Sequence, residues 1–145
     1  MSDSSDLDNA LVAALGADLP LLALMPNGVY MDEGPEGATQ FVLVSLIVSI
    51  DIPMFNGRAF EDCYYAIRAI ERGDVAVRNV KAAAARLDAL LDPPHSRMAL
   101  TIPGYSLKLI RRKERIRQTE RDQIDNSIVW FHRGGQYQLM ASPTS

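Results

Sequence analysis

Thr39–Asp51 reads TQFVLVSLIVSID, and this stretch decides the fold. Phe41, Val42, Val44, Ile47, Val48 and Ile50 are aromatic or β-branched, the side-chain types that pack well on a pleated surface. The run is apolar at odd and even positions alike, as in a strand covered on both faces, so it is expected to be a central strand. Ser45 and Ser49 interrupt it, and it is too short to cross a bilayer as a helix.

Outward from this strand, Pro53–Gly57 marks a turn. Cys63–Ile70 then fits either an alternating strand or a helix, since Phe60, Tyr64, Ala66 and Ile67 also suit helical spacing. The clearest helix is Asp74–Leu91. Asp74 can cap it, Val77, Val80, Ala84, Leu87 and Leu91 recur at three- and four-residue intervals, and Pro93-Pro94 forbids continuation. Its buried face, with the small run Ala82–Ala85, is expected against the Phe41–Ile50 strand. Upstream, Ser5 and Asp8 resemble a capping box, and Leu7, Leu11, Ala14 and Leu15 share a helical face that ends at Gly16. Leu19–Leu24 is apolar without clear period, Pro26-Asn27-Gly28 is a turn, and Asp32–Gly37, DEGPEG, is an acidic loop.

Towards the C-terminus, Met98–Ile102 and Tyr105–Ile110 read as strands around Pro103-Gly104. Ile128–His132 and Tyr137–Ala141 flank Arg133-Gly134-Gly135-Gln136, which reads as a hairpin turn. Between them lies a polar extended segment, residues 111–125. Lys108–Arg121 holds seven of the fifteen Lys and Arg residues. As a helix it would set Arg111 against Arg115 and Lys113 against Arg117, like charges one turn apart. As a strand it would put Arg111, Lys113, Arg115, Arg117 and Arg121 on one face as a cationic strip. Glu114, Gln118 and Glu120 are good helix formers, so both conformations stay open.

With 145 residues and 48% hydrophobic content the chain has the size and composition of a single globular domain, residues 1–145. The acidic start lacks the basic region of a signal peptide, and synthesis in the cytoplasm is expected. The net charge of -3 hides a polarity: residues 1–62 carry ten acids against one base, Arg58, while the remainder is net basic. Such asymmetry suits head-to-tail association of identical subunits.

Chemistry-bearing residues are few. Cys63 is the single cysteine, which excludes an internal disulfide framework and a cysteine-rich zinc site. His95 sits in a Pro-Pro-His loop and His132 beside the expected hairpin turn, without the paired spacing of metal ligands. A Cys63–His132 nucleophile and base pair has no local signature, and core packing is the better account of Cys63. Asp32-Glu33 and Glu61-Asp62 are adjacent carboxylates, read as solvated charge. Glycine patterns for nucleotide binding are missing. The basic segment lacks aromatic interleaving and the pI is near 5.3, which argues against a dedicated nucleic-acid reader. No catalytic, cofactor or metal role is therefore expected. A small cofactor-free enzyme and a basic-strip nucleic-acid-binding module are the alternative readings.

Several strings, in this order, resemble the tail completion, or tail-to-head joining, proteins of long-tailed phages, a tail-terminator-like family. They are Gly28-Val29-Tyr30, Phe41–Asp51, Gly57–Asp62 leading into Tyr64–Ala69, the alanine-rich helix ending Arg86–Leu91, and Gly134–Leu139. The resemblance implies an α+β fold: an antiparallel or mixed β-sheet with one long helix and a short N-terminal helix packed on it. It also implies a non-enzymatic virion protein that forms a ring, commonly six-fold, at the head-proximal end of the tail tube. Its partners would be other copies of itself, the tail tube protein and head-tail connector proteins, with passing contact with DNA in the channel left open and no membrane. Candidate subunit or tail contacts are Asp32, Glu33, Glu36, Arg111, Lys113, Arg115, Arg117 and Arg121.

Overall fold

A computed structural model describes residues 4–53, 59–92 and 100–144. The elements in chain order are α1 (Ser4–Gly16), α2 (Leu19–Leu24), β1 (Val29–Met31), β2 (Gln40–Pro53), β3 (Ala59–Arg72), α3 (Val80–Leu91), β4 (Tyr105–Arg121) and β5 (Val129–Pro143). The strands form one mixed sheet in the order β1-β2-β3-β5-β4, with β1 parallel to β2 and the other pairs antiparallel.

This corrects the expected α+β architecture. About half of the described residues are in strands, and the helices are three short ones, so no long helix lies on the sheet. The reason is local to residues 72–79. Asp74 does not cap a helix; it pairs with Arg72, Nε to Oδ1 at 2.6 Å, while the Gly73 N–H donates to the Val129 carbonyl at 2.6 Å. The chain thus turns at the end of β3 before α3 begins. Asn79 takes the N-cap position, where its N–H donates to Glu71 Oε1 (2.6 Å) and its Nδ2 to the Leu24 carbonyl (3.2 Å). Val77 is left 66% exposed.

Val80, Ala83, Leu87, Leu90 and Leu91 form the buried face of α3, with Ala83 in place of the expected Ala84. The helix lies over β3 and β5, not over β2 as expected. Leu7, Leu11 and Leu15 of α1 and Leu21 of α2 complete the layer on the same sheet face, over Val42, Val44, Cys63, Tyr65, Ile67, Tyr137 and Leu139. Asp18 caps α2 by accepting the Leu21 N–H at 3.0 Å and is clamped by Arg86 of α3 at 2.7 and 2.9 Å. Asp8, within α1, accepts the Tyr65 hydroxyl at 2.6 Å.

The opposite sheet face carries a smaller cluster of Ala38, Phe41, Leu43 and Ile70, with Tyr30 and Trp130 against it. The loop from Asp32 to Thr39 closes over it. Asp32 at φ 64° and Gly37 at φ 81° turn the backbone, and Gly34 lies so near the Phe41 ring that a Cβ there would meet it at 2.5 Å.

The two conformations left open from sequence are both settled as strand: Cys63–Ile70 lies within β3, and the basic segment lies within β4, which runs on to Arg121. The expected hairpin turn at Arg133–Gln136 is overturned, because β5 passes straight through it. A Cβ on Gly134 would stand 2.1 Å from the Ile67 carbonyl oxygen, and one on Gly135 2.8 Å from that of Glu114. The two glycines serve close approach between neighbouring strands. The turn is instead made over Asp122–Ile128, where Asp122 Oδ1 accepts the N–H groups of Ile124 (2.8 Å) and Asp125 (3.2 Å). Leu100–Ile102 are not in a strand, although Leu100 and Ile102 are buried. Met98, the Pro93-Pro94 stop, His95 and most of the expected Pro53–Gly57 turn lie outside the described residues. No helix among the described residues is long and apolar enough to cross a membrane.

Candidate functional site

Residues paired across a sheet share a face, so register assigns the side chains of β4 outside its two bulges, at Lys108 and Lys113. Arg112 pairs with Tyr137, Arg115 with Gly135, Arg117 with Arg133 and Arg121 with Val129, all on the helix-bearing face. Arg111 pairs with Gln138 on the other face and donates from Nε to Gln138 Oε1 at 3.0 Å. A bulge between Arg112 and Glu114, at Lys113, causes this reversal. The single strip expected from simple alternation is therefore split. Arg111 is separated from Arg115, Arg117 and Arg121, and Arg112 joins the latter.

Arg115, Arg117, Arg133 of β5 and Lys81 of α3 line a cleft of about 210 Å³ between α3 and the β4 edge of the sheet. Ala84 and Ala85 form its wall on α3, and their small side chains leave the space open. The one carboxylate in the lining, Asp88, is already engaged: Arg112 Nη1 donates to Oδ2 at 2.7 Å and the Tyr137 hydroxyl donates to Oδ1. Burial, and then that bond to Asp88, hold the Tyr137 phenol far above its ordinary pKa, so it remains a donor. Lys81 and Arg133 were not singled out from sequence. They sit remote from the basic segment along the chain, and only the fold brings them beside it.

At the other edge of the sheet stand the acidic candidates. Asp32, Glu33 and Glu36 are exposed on the loop after β1. The Asp32 N–H donates to the Val44 carbonyl at 2.8 Å, the Glu33 N–H to Met31 at 2.7 Å and the Ala38 N–H to Pro35 at 3.2 Å, which fixes the loop backbone. Beyond Val44, no described strand pairs with the outer side of β2. That half carries Ile47, Val48 and Ile50, exposed to 52%, 42% and 50%.

The remaining chemical candidates are kept apart. Cys63 pairs with Leu139 on the helix-bearing face, whereas His132 pairs with Ile70 on the opposite face, so the two cannot form a dyad. The Cys63 thiol is pushed up to about 11, chiefly by burial, with Ser49 Oγ at 3.4 Å. His132 is buried, and its pKa is lowered first by that burial and then by Arg68. Its Nε2 is 3.8 Å from Glu120. Glu61 is buried, contrary to the expected solvated charge, while Asp62 accepts from Gln138 Nε2 at 3.0 Å. Glu71, which the sequence did not single out, is wholly buried and its Oε1 accepts from both Gln40 Nε2 (2.8 Å) and the Asn79 N–H (2.6 Å), tying β2 and β3 to the start of α3.

No family model matches this sequence, and no curated protein matches it.

Proposed function

We propose that the chain is a structural virion subunit that assembles with copies of itself into a ring at the head-proximal end of a phage tail tube, ending the tail, joining it to the head connector, or both. The observation that carries this reading is the half of β2 beyond Val44, whose outer side no described strand pairs. A long strand edge with apolar side chains and unpaired backbone groups is an association surface, and Ile47, Val48 and Ile50 stand there about half exposed. The opposite edge, β4, has no described strand on its outer side either, but it is cationic and bulged. Edges of unlike character favour heterologous contact, in which one surface of a copy meets a different surface of the next, and such contacts generate rings when the rotation closes.

The order of sequence strings that resembles tail completion proteins supports placing this ring on a tail, with the tube protein and connector proteins as neighbours. Such a role requires a firm small core and two contact edges; Cys63 and His132 have no part in it. Complementation tests it. Ile47→Lys with Ile50→Lys should yield filled heads with separate or overlong tails in electron micrographs of lysates, and Cys63→Ala with His132→Ala should yield normal particles. Normal infectious particles from the first variant contradict the proposal.

A further inference from the structure

The geometry points to the cleft between α3 and the β4 edge as the seat of the acidic Asp32–Gly37 loop of a second copy of this chain, an inference that rests on the ring reading above. Lys81, Arg115, Arg117 and Arg133 converge on the cleft from three elements, and Asp88, its one carboxylate, is committed to Arg112 and Tyr137. Arg117 and Arg133 are direct cross-strand partners, and like charges so placed repel. A counter-anion relieves that repulsion.

The size of the cleft narrows the anion. About 210 Å³ falls below the roughly 300–1,000 Å³ of small-molecule and cofactor sites, so carboxylate side chains suit it better than a nucleotide. The chain itself supplies them. Asp32, Glu33 and Glu36 are exposed, form no ion pair among the described residues, and sit on a backbone already fixed by its own hydrogen bonds. Little further ordering opposes binding.

Loop and cleft also stand at the same height. Met31, Val44, Ile67, Gly135 and Arg115 form one row across the sheet, from the strand that leads into the acidic loop to the strand that lines the cleft. A contact between them joins copies side by side with no shift along the strands, which favours a closed ring over a climbing filament.

Two full-length variants test this, Glu33→Lys/Glu36→Lys in the loop and Arg115→Glu/Arg117→Glu in the cleft, each checked for native circular dichroism and followed by sedimentation velocity at low salt. Each alone should lose the wild-type oligomer. Their equimolar mixture should associate again, because one junction joins an intact cleft to an intact loop and the other joins the reversed loop to the reversed cleft, once more unlike charges. If the reversed cleft variant fails to fold, Arg115→Gln/Arg117→Gln replaces it, and its mixture with the loop variant should stop at a heterodimer, because only one junction then joins unlike charges. A mixture that stays unassociated, or a variant that assembles like the wild type, overturns the loop-in-cleft contact while leaving a wild-type ring standing. A wild-type chain that never associates overturns the ring reading itself. A thermal shift with inorganic phosphate that disappears in the cleft variant, without any association, assigns the cleft to a phosphate ligand and also overturns the inference.

Discussion

Arg117 and Arg133 stand directly opposite one another on β4 and β5, on the face that carries the helices. An isolated subunit keeps this pair only against its own repulsion. Replacing Arg133 by Gln should stabilise the unassociated chain by roughly 0.2–1 kcal/mol at low ionic strength, and the gain should shrink as salt screens the pair. Urea denaturation at two salt concentrations, below the association range, measures it. Unchanged or lowered stability would show that the two guanidinium groups do not oppose each other.

The interior of α3 gives a second expectation. Leu87 is fully buried between the helix and the sheet, so Leu87→Ala should cost about 2–5 kcal/mol. Val77, which helical periodicity placed on the same face, is exposed in the turn before the helix. Val77→Ala should leave the denaturation midpoint nearly unchanged. Similar losses at both positions would restore the longer helix.

Gly134 provides a third. Its neighbours are backbone atoms of Ile67 and Arg68 at 2.1 and 2.5 Å from a Cβ, which cannot swing aside as a side chain can. Gly134→Ala should therefore lower stability by about 1–3 kcal/mol or more. Gly16 has nothing within 4 Å of such a Cβ, and Gly16→Ala should be tolerated. Equal tolerance at both sites would return the Gly134-Gly135 pair to a turn.

His132 sets a pH dependence. Burial first and Arg68 second lower its folded pKa below the ordinary histidine value of about 6.5, with Glu120 in partial opposition. The unfolded chain thus takes up this proton at higher pH than the folded one, so stability rises with pH between the folded pKa and about 6.5 and falls as pH drops through that window. His132→Gln should flatten this part of the stability profile. A profile of unchanged slope would show that His132 titrates normally.

These sites also show which parts of the structure were legible in the sequence. Thr39–Asp51 was readable as a strand because its β-branched and aromatic content speaks for strand without help from the rest of the chain. It was not readable as a central strand covered on both faces, since no described strand flanks β2 beyond Val44 and Ile47, Val48 and Ile50 are exposed. The acidic loop announced itself through Gly, Pro and carboxylates. The double glycine misled, since the same pair serves a turn or a close approach of strands. Only the register with Ile67 decides between them. Alternation failed along the basic strand because a bulge at Lys113 inserts one residue and reverses the faces of Leu109–Arg112, back to a second bulge at Lys108. The cleft was out of reach for another reason: Lys81 and Arg133 join Arg115 and Arg117 through packing, and no local spacing records that. The helix was overextended because periodicity continued through Val77, while Gly73 and the Arg72–Asp74 pair hold that segment in a turn.

The most direct test of the account is the mass of the wild-type assembly, measured by native mass spectrometry at low ionic strength over a range of concentrations. Heterologous contact between unlike edges predicts one closed oligomer of fixed subunit number, dissociating to monomer without a stable dimer and weakening with salt. A chain that remains monomeric throughout, or that stops at a symmetric dimer, would contradict it.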